Sequence, residues 1–582
     1  MGGFFLVLTR PGRDPSSTLD ILKRAFSELG FAAPRIIVTA EYVFAAYPTI
    51  EGGSLELHAC PNGDFVGVAG TCLGEEETGA AAAARYYGGA MPAAAAEGVV
   101  GHYAIVRRCG GRTEIRLDPF GGYHLYYNLE RAIVSNSFYA LAMALDRLSP
   151  LRQSALEYVF NGVVSGDETL FREIALAPIG ATIRIDNSSL DIVRPPLEAP
   201  RTFTEATRGE ALDRSLALLD RYFAAVARSF GDRVGCALSG GYDSRLMLAC
   251  MRRHGIRPRV FVYGRDGERD VGLAAEIARR EGFALAVIDK NRQPLVPPAE
   301  FAAIARRNFL AQDGYGWGGI FQNDAEISES ARRVRGNAIA FNGGGGEIFR
   351  NFFYLPNREY PIRDLLWSFY SRFDPRVCTE NFDAESYYGG LERKVRKLVG
   401  GDRHRLQRPT VEWLYHTFRC RSWDGKVDSI CGRYGSTAMP YLEPAITRHA
   451  STLPLAWKNH GAYEAELICR ADRRLAGYRS VYGHDFGGPP PLSRRLGDYA
   501  TYVRPPWLRR YTYRLRHWRP RHGDWPGYLG QAYRNAALPA GPVMVHKLFR
   551  LGRIADPEQF ARILSLEYAL QYFGGRVAAD FQ

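Results

Sequence analysis

From Val234 the chain reads Val-Gly-Cys-Ala-Leu-Ser-Gly-Gly-Tyr-Asp-Ser-Arg245, an apolar strand that runs directly into a Ser-Gly-Gly-x-Asp-Ser turn and then a helix. The helix is announced by the apolar stripe Leu246, Met247, Ala249, Cys250 and Met251, and Gly255 is its stop. Two adjacent glycines let backbone approach a phosphate chain closely, and the free amides that open a helix favour negative charge. Asp243 is placed to hold a magnesium ion against such phosphates. The pattern lacks the Gly-x-x-x-x-Gly-Lys-Ser/Thr lysine of the Walker loop. It therefore suits chemistry in which ATP is cut at the α-phosphate and pyrophosphate leaves. The plainer alternative is a glycine-rich turn of an ordinary α/β domain.

The residues downstream of the loop narrow the choice. Val260-Phe-Val-Tyr263 reads as a second strand, Asp270 leads an amphipathic helix through Ala274, Ala275, Ile277 and Ala278, and Leu285-Ala-Val-Ile288 reads as a third strand. Strand and helix alternate, so a parallel, doubly wound sheet is expected, with ligands beyond the carboxyl ends of its strands, where Ser239–Ser244 lies. Upstream, residues 1–195 alternate short apolar runs with Gly, Asp and Asn turns, among them Ile36-Ile-Val38, Tyr103-Ala-Ile-Val106, Thr113-Glu-Ile-Arg-Leu117 and Ala181-Thr-Ile-Arg-Ile185. This predicts a mostly β layer. The linker is Arg194-Pro-Pro-Leu-Glu-Ala-Pro200. The α/β domain runs over 205–490, and 491–582 form a basic, helical extension. The Ala-rich tract Gly79–Arg85 is a loop or short helix.

These residues together resemble the asparagine synthetase family. Ser239-Gly-Gly-Tyr-Asp-Ser244 matches its nucleotide loop, and Phe341-Asn-Gly-Gly-Gly-Gly-Glu-Ile-Phe349 is similar to its second glycine-rich loop. Met439-Pro-Tyr-Leu-Glu443 with Leu453-Pro454 is similar to its Pro-Phe-Leu-Asp segment and the Leu/Ile-Pro after it. Leu117-Asp-Pro-Phe-Gly-Gly-Tyr-His-Leu-Tyr-Tyr127 and Ile133-Val-Ser-Asn-Ser137 track its glutaminase-type domain. The resemblance spans roughly 1–490. It implies an α/β chain in which an Ntn-hydrolase-like α+β domain of the class II amidotransferase kind precedes a PP-loop synthetase domain. It also implies ATP and Mg2+ as cofactors. Ser239, Gly240, Gly241 and Ser244 would hold pyrophosphate, Asp243 and Glu347 the metal, and Leu238, Tyr263 and Gly343 would line the adenosine pocket.

Three departures from the family pattern matter. Glutamine-dependent members carry a nucleophilic cysteine directly after the initiator methionine; here that position is Gly2. The amidotransferase-like domain should then be inactive, as in members similar to β-lactam synthetase and the lasso-peptide cyclases. The second loop is one residue short of the family's acid pair: aligned through Ile348-Phe349 the metal-binding aspartate becomes Gly346, and aligned through the first glycines Glu347 takes its place. Glycines that merely let helices pack are the plain alternative. Finally, the family's catalytic lysine is missing, since no lysine occurs between Lys458 and Lys547. Arg479, Arg473 or Arg474 are candidates to replace it, and Arg245, in the first turn after the loop, is the preferred one.

Composition sets the remaining bounds. A chain of 582 residues is too long for one core. Its nine cysteines are scattered with no CxxC pair, which indicates neither a disulfide framework nor a zinc site. No apolar stretch approaches the length of a membrane span, so a cytoplasmic protein with no membrane partner is expected. The net charge is +13 and much of the excess is arginine; the densest run is Arg504, Arg509, Arg510, Arg514, Arg516, Arg519 and Arg521, interleaved with Trp507, Tyr511, Tyr513 and Trp518. No nucleic-acid module accompanies them, so a solvated helix face is the expectation and no nucleic-acid partner is assigned.

Two functional classes remain. The first is an ATP-dependent amide-bond-forming ligase acting on a carboxylate-bearing small molecule or peptide, with Arg245 and Glu347 as catalytic residues. The second is a nucleotide-binding scaffold or regulatory protein that has lost turnover. Either way Gly2 carries no nucleophile: protein incubated with glutamine and ATP should release no glutamate above a protein-free control, and robust release would overturn the argument from that position.

Overall fold

The computed structural model describes residues 1–10, 14–74, 77–87, 99–186, 189–289, 294–323, 331–401, 403–519, 525 and 527–582. The architecture is mixed α/β, with two antiparallel sheets followed by a parallel one. Arg521 of the arginine run lies outside the described residues.

The first antiparallel sheet has six strands with Gly3–Leu8 between Tyr42–Tyr47 and Ile133–Ser135; the second has six, built around Phe65–Gly70, Tyr103–Cys109 and Arg112–Leu117. The continuous apolar run at the start of the chain is explained by burial on both faces. Phe4, Leu6 and Leu8 point into the core between the sheets, whereas Phe5 and Val7 point to the helix Ser16–Glu28, in the strand's period of two. Phe26 of that helix stacks on Tyr47 at 4.4 Å. The Ala-rich tract forms the helix Gly79–Tyr87, whose small residues lie against Val68 and Ile105 on the outer face of the second sheet. At Gly2 a Cβ would fall 2.7 Å from Thr49 Cα and 2.9 Å from the Arg433 carbonyl, so position 2 has no room for any side chain, cysteine included.

The capped helix Arg208–Phe230, opened by a Thr207–Glu210 capping box, leads into the parallel sheet. Its five strands lie in the order Leu285–Ile288, Arg259–Tyr263, Val234–Ala237, Ile339–Phe341, Thr437–Ala438. Sequence order runs outward from Val234–Ala237 to one edge and then resumes on its other side. The reversal leaves a crevice beyond the carboxyl ends of Val234–Ala237 and Ile339–Phe341, the place where open α/β sheets bind ligands. The extension is helical, with Leu492–Tyr502, Gln531–Ala537 and Pro557–Phe573 among its helices. No helix among the described residues is long and apolar enough to cross a membrane.

The helix Arg421–Cys431 joins the antiparallel and parallel parts through buried charge. His102 Nδ1 lies 3.1 Å from Asp428, and Asp313 accepts from Ser137 Oγ and the Phe138 and Tyr139 amides while pairing with Arg433 at 2.6 Å and Lys426 at 3.8 Å. Burial alone pushes His102 down, but the hydrogen bond and charge of Asp428, with Asp118 and Glu443 behind it, hold it up to about 9. A raised folded-state value means stability that is complete below the ordinary histidine range and lost as pH rises through about 9. Wild-type protein should therefore lose melting temperature between pH 7 and 9.5, and His102→Gln should flatten that slope; an unchanged slope in the variant would remove His102 from the account.

Candidate functional site

The switch-point crevice is built from two glycine loops that touch. In the first, Gly240 has no room for a side chain: a Cβ would sit 2.6 Å from Val481 and 2.7 Å from Leu273. Asp270, at the start of helix Arg269–Glu281, accepts the Gly240 amide at 2.8 Å, and Val481 donates to the Gly240 carbonyl at 3.1 Å. Ser239 and Ser244 bond to each other through their hydroxyls at 3.0 Å, and the Ser239 amide donates to Ser244 Oγ. Helix Tyr242–Arg253 starts at Gly241 with no side-chain cap, so its first turn presents amides to the crevice.

The second loop packs against the first through its bare backbone. A Cβ on Gly343 would meet Asp243 Cβ at 3.3 Å, one on Gly344 would meet Asp424 Oδ1 at 3.0 Å, and one on Gly346 would lie 2.1 Å from Asp243 Oδ1. Gly345 adopts φ +85°. Gly346 thus faces Asp243 where the resemblance puts the second metal-binding acid. The glycine is what permits the approach.

The cation at Asp243 is an arginine. Arg350 Nη2 donates to both carboxylate oxygens of Asp243 at 2.8 Å, its Nε lies 3.1 Å from Glu464 Oε2, and Glu347 Oε1 is 3.8 Å from Nη2. Burial pushes the Asp243 carboxyl up and Arg350 pulls it back down; burial and the Asp243 charge raise Glu464, which is fully buried, well above its ordinary range. Tyr415 donates to Glu347 Oε2 at 2.7 Å, and Tyr441 donates to the Asp243 carbonyl at 2.7 Å. Asp424, behind Gly344, is raised by burial to about 6.

The expected site residues divide accordingly. Asp243, Ser239, Gly240, Gly241, Ser244, Gly343 and Glu347 converge on the crevice. Leu238 is buried and bonded through its amide to the Phe261 carbonyl, and Tyr263, at the end of the neighbouring strand, accepts from Arg333 Nε at 2.5 Å. Arg245 is a correction. Two residues beyond Asp243 on a helix, its side chain points away from the loop. Its guanidinium is fully buried, donating to the carbonyls of Tyr478 at 2.6 Å and Arg479 at 2.8 Å over the ring of Phe486. It pins the segment 478–486 onto the helix and meets no crevice. Arg474 is likewise engaged, by Glu281 at 2.7 Å.

Magnesium held by Asp243 and Glu347 does not fit these residues. Both Asp243 oxygens face a guanidinium, position 346 offers no oxygen, and no cluster of three or more His, Cys, Asp or Glu suited to a metal occurs among the described residues. Neither Arg350 nor Glu464 stands out in the sequence as a site residue. Arg350 leaves one signal, a lone cation three residues after Glu347 in a loop otherwise stripped of side chains; Glu464 sits in an unremarkable helix, Ala462–Ala471.

Against protein-family models, and against curated proteins, the chain finds no match. Among solved structures it is similar to the glutamine phosphoribosylpyrophosphate amidotransferase of B. subtilis complexed with ADP and GMP, at 10% identity and a TM-score of 0.23, over 49% of this chain and 81% of that one. A structure described as the allosteric regulatory enzyme of purine biosynthesis is similar at 11% identity and a TM-score of 0.23, over 49% of this chain and 80% of that one. At such scores the likeness fixes neither fold nor chemistry.

Two outcomes are expected from the Asp243–Arg350 pair. Asp243→Ala should cost stability on the order of 3 kcal/mol in denaturant unfolding, because it strands a largely buried guanidinium; an unchanged unfolding midpoint would mean the pair is dispensable. Mn2+ titration followed by electron paramagnetic resonance should show no specific ion on the wild type and one in Arg350→Ala, where Asp243 is freed.

Proposed function

We propose that the chain is an ATP-dependent ligase of the asparagine synthetase kind that takes no nitrogen from glutamine. A substrate carboxylate oxygen attacks the α-phosphorus and the bond to the β-phosphate breaks, which yields an acyl-adenylate and pyrophosphate. An amine then attacks the acyl carbon, loses a proton, and AMP leaves. The observation that carries this reading is the meeting of two glycine-rich loops and an uncapped helix start at the switch point of a parallel sheet. Ser239, Gly240, Gly241 and Ser244 cradle the pyrophosphate in this scheme. Leu238, Tyr263 and Gly343 border the adenosine. Arg350 supplies the fixed positive charge that the absent lysine and the unfitted metal would otherwise bring, and such preorganised charge is a large term in transfer chemistry. Glu347, held by Tyr415, is a half-buried carboxylate 3.8 Å from that guanidinium.

A second reading has one observation on its side. Asp243 is already neutralised by Arg350, which is what a nucleotide-binding scaffold without turnover would also look like. AMP formation from ATP across a panel of amino acids, peptides and sugar acids separates the two. The ligase reading expects AMP and pyrophosphate in equal amounts with one substrate class, and a loss of about a hundredfold or more in Arg350→Gln. ATP binding without AMP from any member of the panel would establish the scaffold.

A further inference from the structure

The arginine-aromatic run of the extension is a solvated face only in part: Trp507 and Trp518 are more than half exposed, whereas other members turn inward. Arg509 is buried and donates to the carbonyls of Phe353 and Tyr354 at 2.6 Å each and of Thr501 at 2.8 Å. It thereby clamps Tyr354, which holds a left-handed φ of 49°. Arg510 lies over the Trp367 ring at 5.0 Å, and Tyr513 donates to Asp556 at 2.7 Å. The run is folded back onto the segment 352–372 and the long helix Pro557–Phe573, and between them lies a cavity of about 570 Å³.

The charge around that cavity does not balance. Of its two carboxylates, Asp556 is taken by Tyr513 and by the Glu558 amide, and Glu558 by Arg562 at 2.9 Å. Arg509 is taken by carbonyls. Arg372, Arg504 and Arg516 line the same space, and no carboxylate of the described residues pairs with any of them. Burial, and then the nearby Arg419 and Arg562, push Arg372 down, with Tyr370 and Glu558 opposing them only in part. The rest of the lining is aromatic, with Phe352, Trp367, Phe369 and Trp423 forming flat apolar walls, and Arg372 already lies 4.9 Å over Phe369. Guanidinium groups with no paired carboxylate call for an oxyanion, and aromatic walls for a planar or apolar body.

We infer that this cavity binds an organic acid, a carboxylate carried on an aromatic or apolar body, with Arg372, Arg504 and Arg516 on the carboxylate and Trp367 and Phe369 against the body. One layer of side chains separates it from the crevice: Phe352 packs on Tyr415 at 4.3 Å, and Tyr415 donates to Glu347. The inference rests on the cavity alone and stands whether or not the crevice turns ATP over.

Calorimetry with full-length protein tests it, using 4-phenylbutyrate, its neutral amide and inorganic phosphate as probes, together with the fluorescence of the lining tryptophans. The expected result is saturable one-to-one binding of 4-phenylbutyrate that changes the emission of Trp367, with Trp367→Phe as control, and weakens as salt is raised. The amide and inorganic phosphate should each bind at least tenfold more weakly. Arg372→Gln with Arg504→Gln should reduce binding of the acid at least tenfold while the variant still melts cooperatively, since neither side chain is paired with a carboxylate and the loss of the Arg372–Phe369 contact is offset by removal of repulsion from Arg419 and Arg562. The inference fails if 4-phenylbutyrate does not bind, if the amide or inorganic phosphate binds as tightly, or if the folded double variant binds undiminished.

Discussion

One helix, Arg421–Cys431, sets the relation between the parts of this molecule. Arg421 donates to the carbonyls of Gly166 and Ala177, Lys426 reaches Tyr126 and Asp313, and Asp428 holds His102, all from buried positions facing the antiparallel sheets. Gly425 lets the helix approach so closely that a Cβ would lie 2.8 Å from the Gly122 carbonyl. From the other side Asp424 backs Gly344 of the second loop. Buried ion pairs add little net stability, since desolvation opposes the attraction, but a mispaired arrangement is costly. Such a seam selects one docking of the sheets, and the same element fixes a wall of the crevice. The antiparallel part is thus tied through this one helix to the wall behind the second loop.

The strand-loop-helix core is legible in the sequence because its constraints are local. Val234–Ala237, Arg259–Tyr263 and Leu285–Ile288 are short apolar runs between helical stripes, and Asp270 marks a helix start to within one residue. Gly240 is legible as a close-approach glycine. The resemblance points to the phosphate loop but carries a metal with it, and here the residues disagree. Whether an aspartate faces a cation of the solvent or of the chain depends on Arg350, 107 positions away, and on Glu464. Nothing in local spacing connects them.

Arg245 shows the opposite failure. A cation beside a phosphate loop invites a catalytic role, yet helical geometry turns residues two apart to different sides, and its apolar neighbours Leu246, Met247 and Leu248 are all buried. The charge at position 245 is answered by carbonyls of the segment that closes over the loop. Tyr242, stacked on Phe486 at 4.1 Å, completes that closure. The crevice is therefore walled by a segment whose attachment depends on the very arginine that local spacing offers as a catalyst.

The basic extension resists a reading by composition for a related reason. Its arginines are close together in sequence but part company in space: Arg509 to backbone carbonyls, Arg510 to Trp367, Arg514 toward Asp374 at 3.8 Å, Arg504 and Arg516 to the lining of an open cavity. A net charge of +13 then describes no single surface patch, and it says little about a long polyanion as partner. The physically informative quantity is the local balance at each guanidinium. Where carbonyls, rings or carboxylates answer the charge, arginine is acting as a strut of the fold; Arg504 and Arg516 instead line the cavity with no carboxylate of the described residues paired to them.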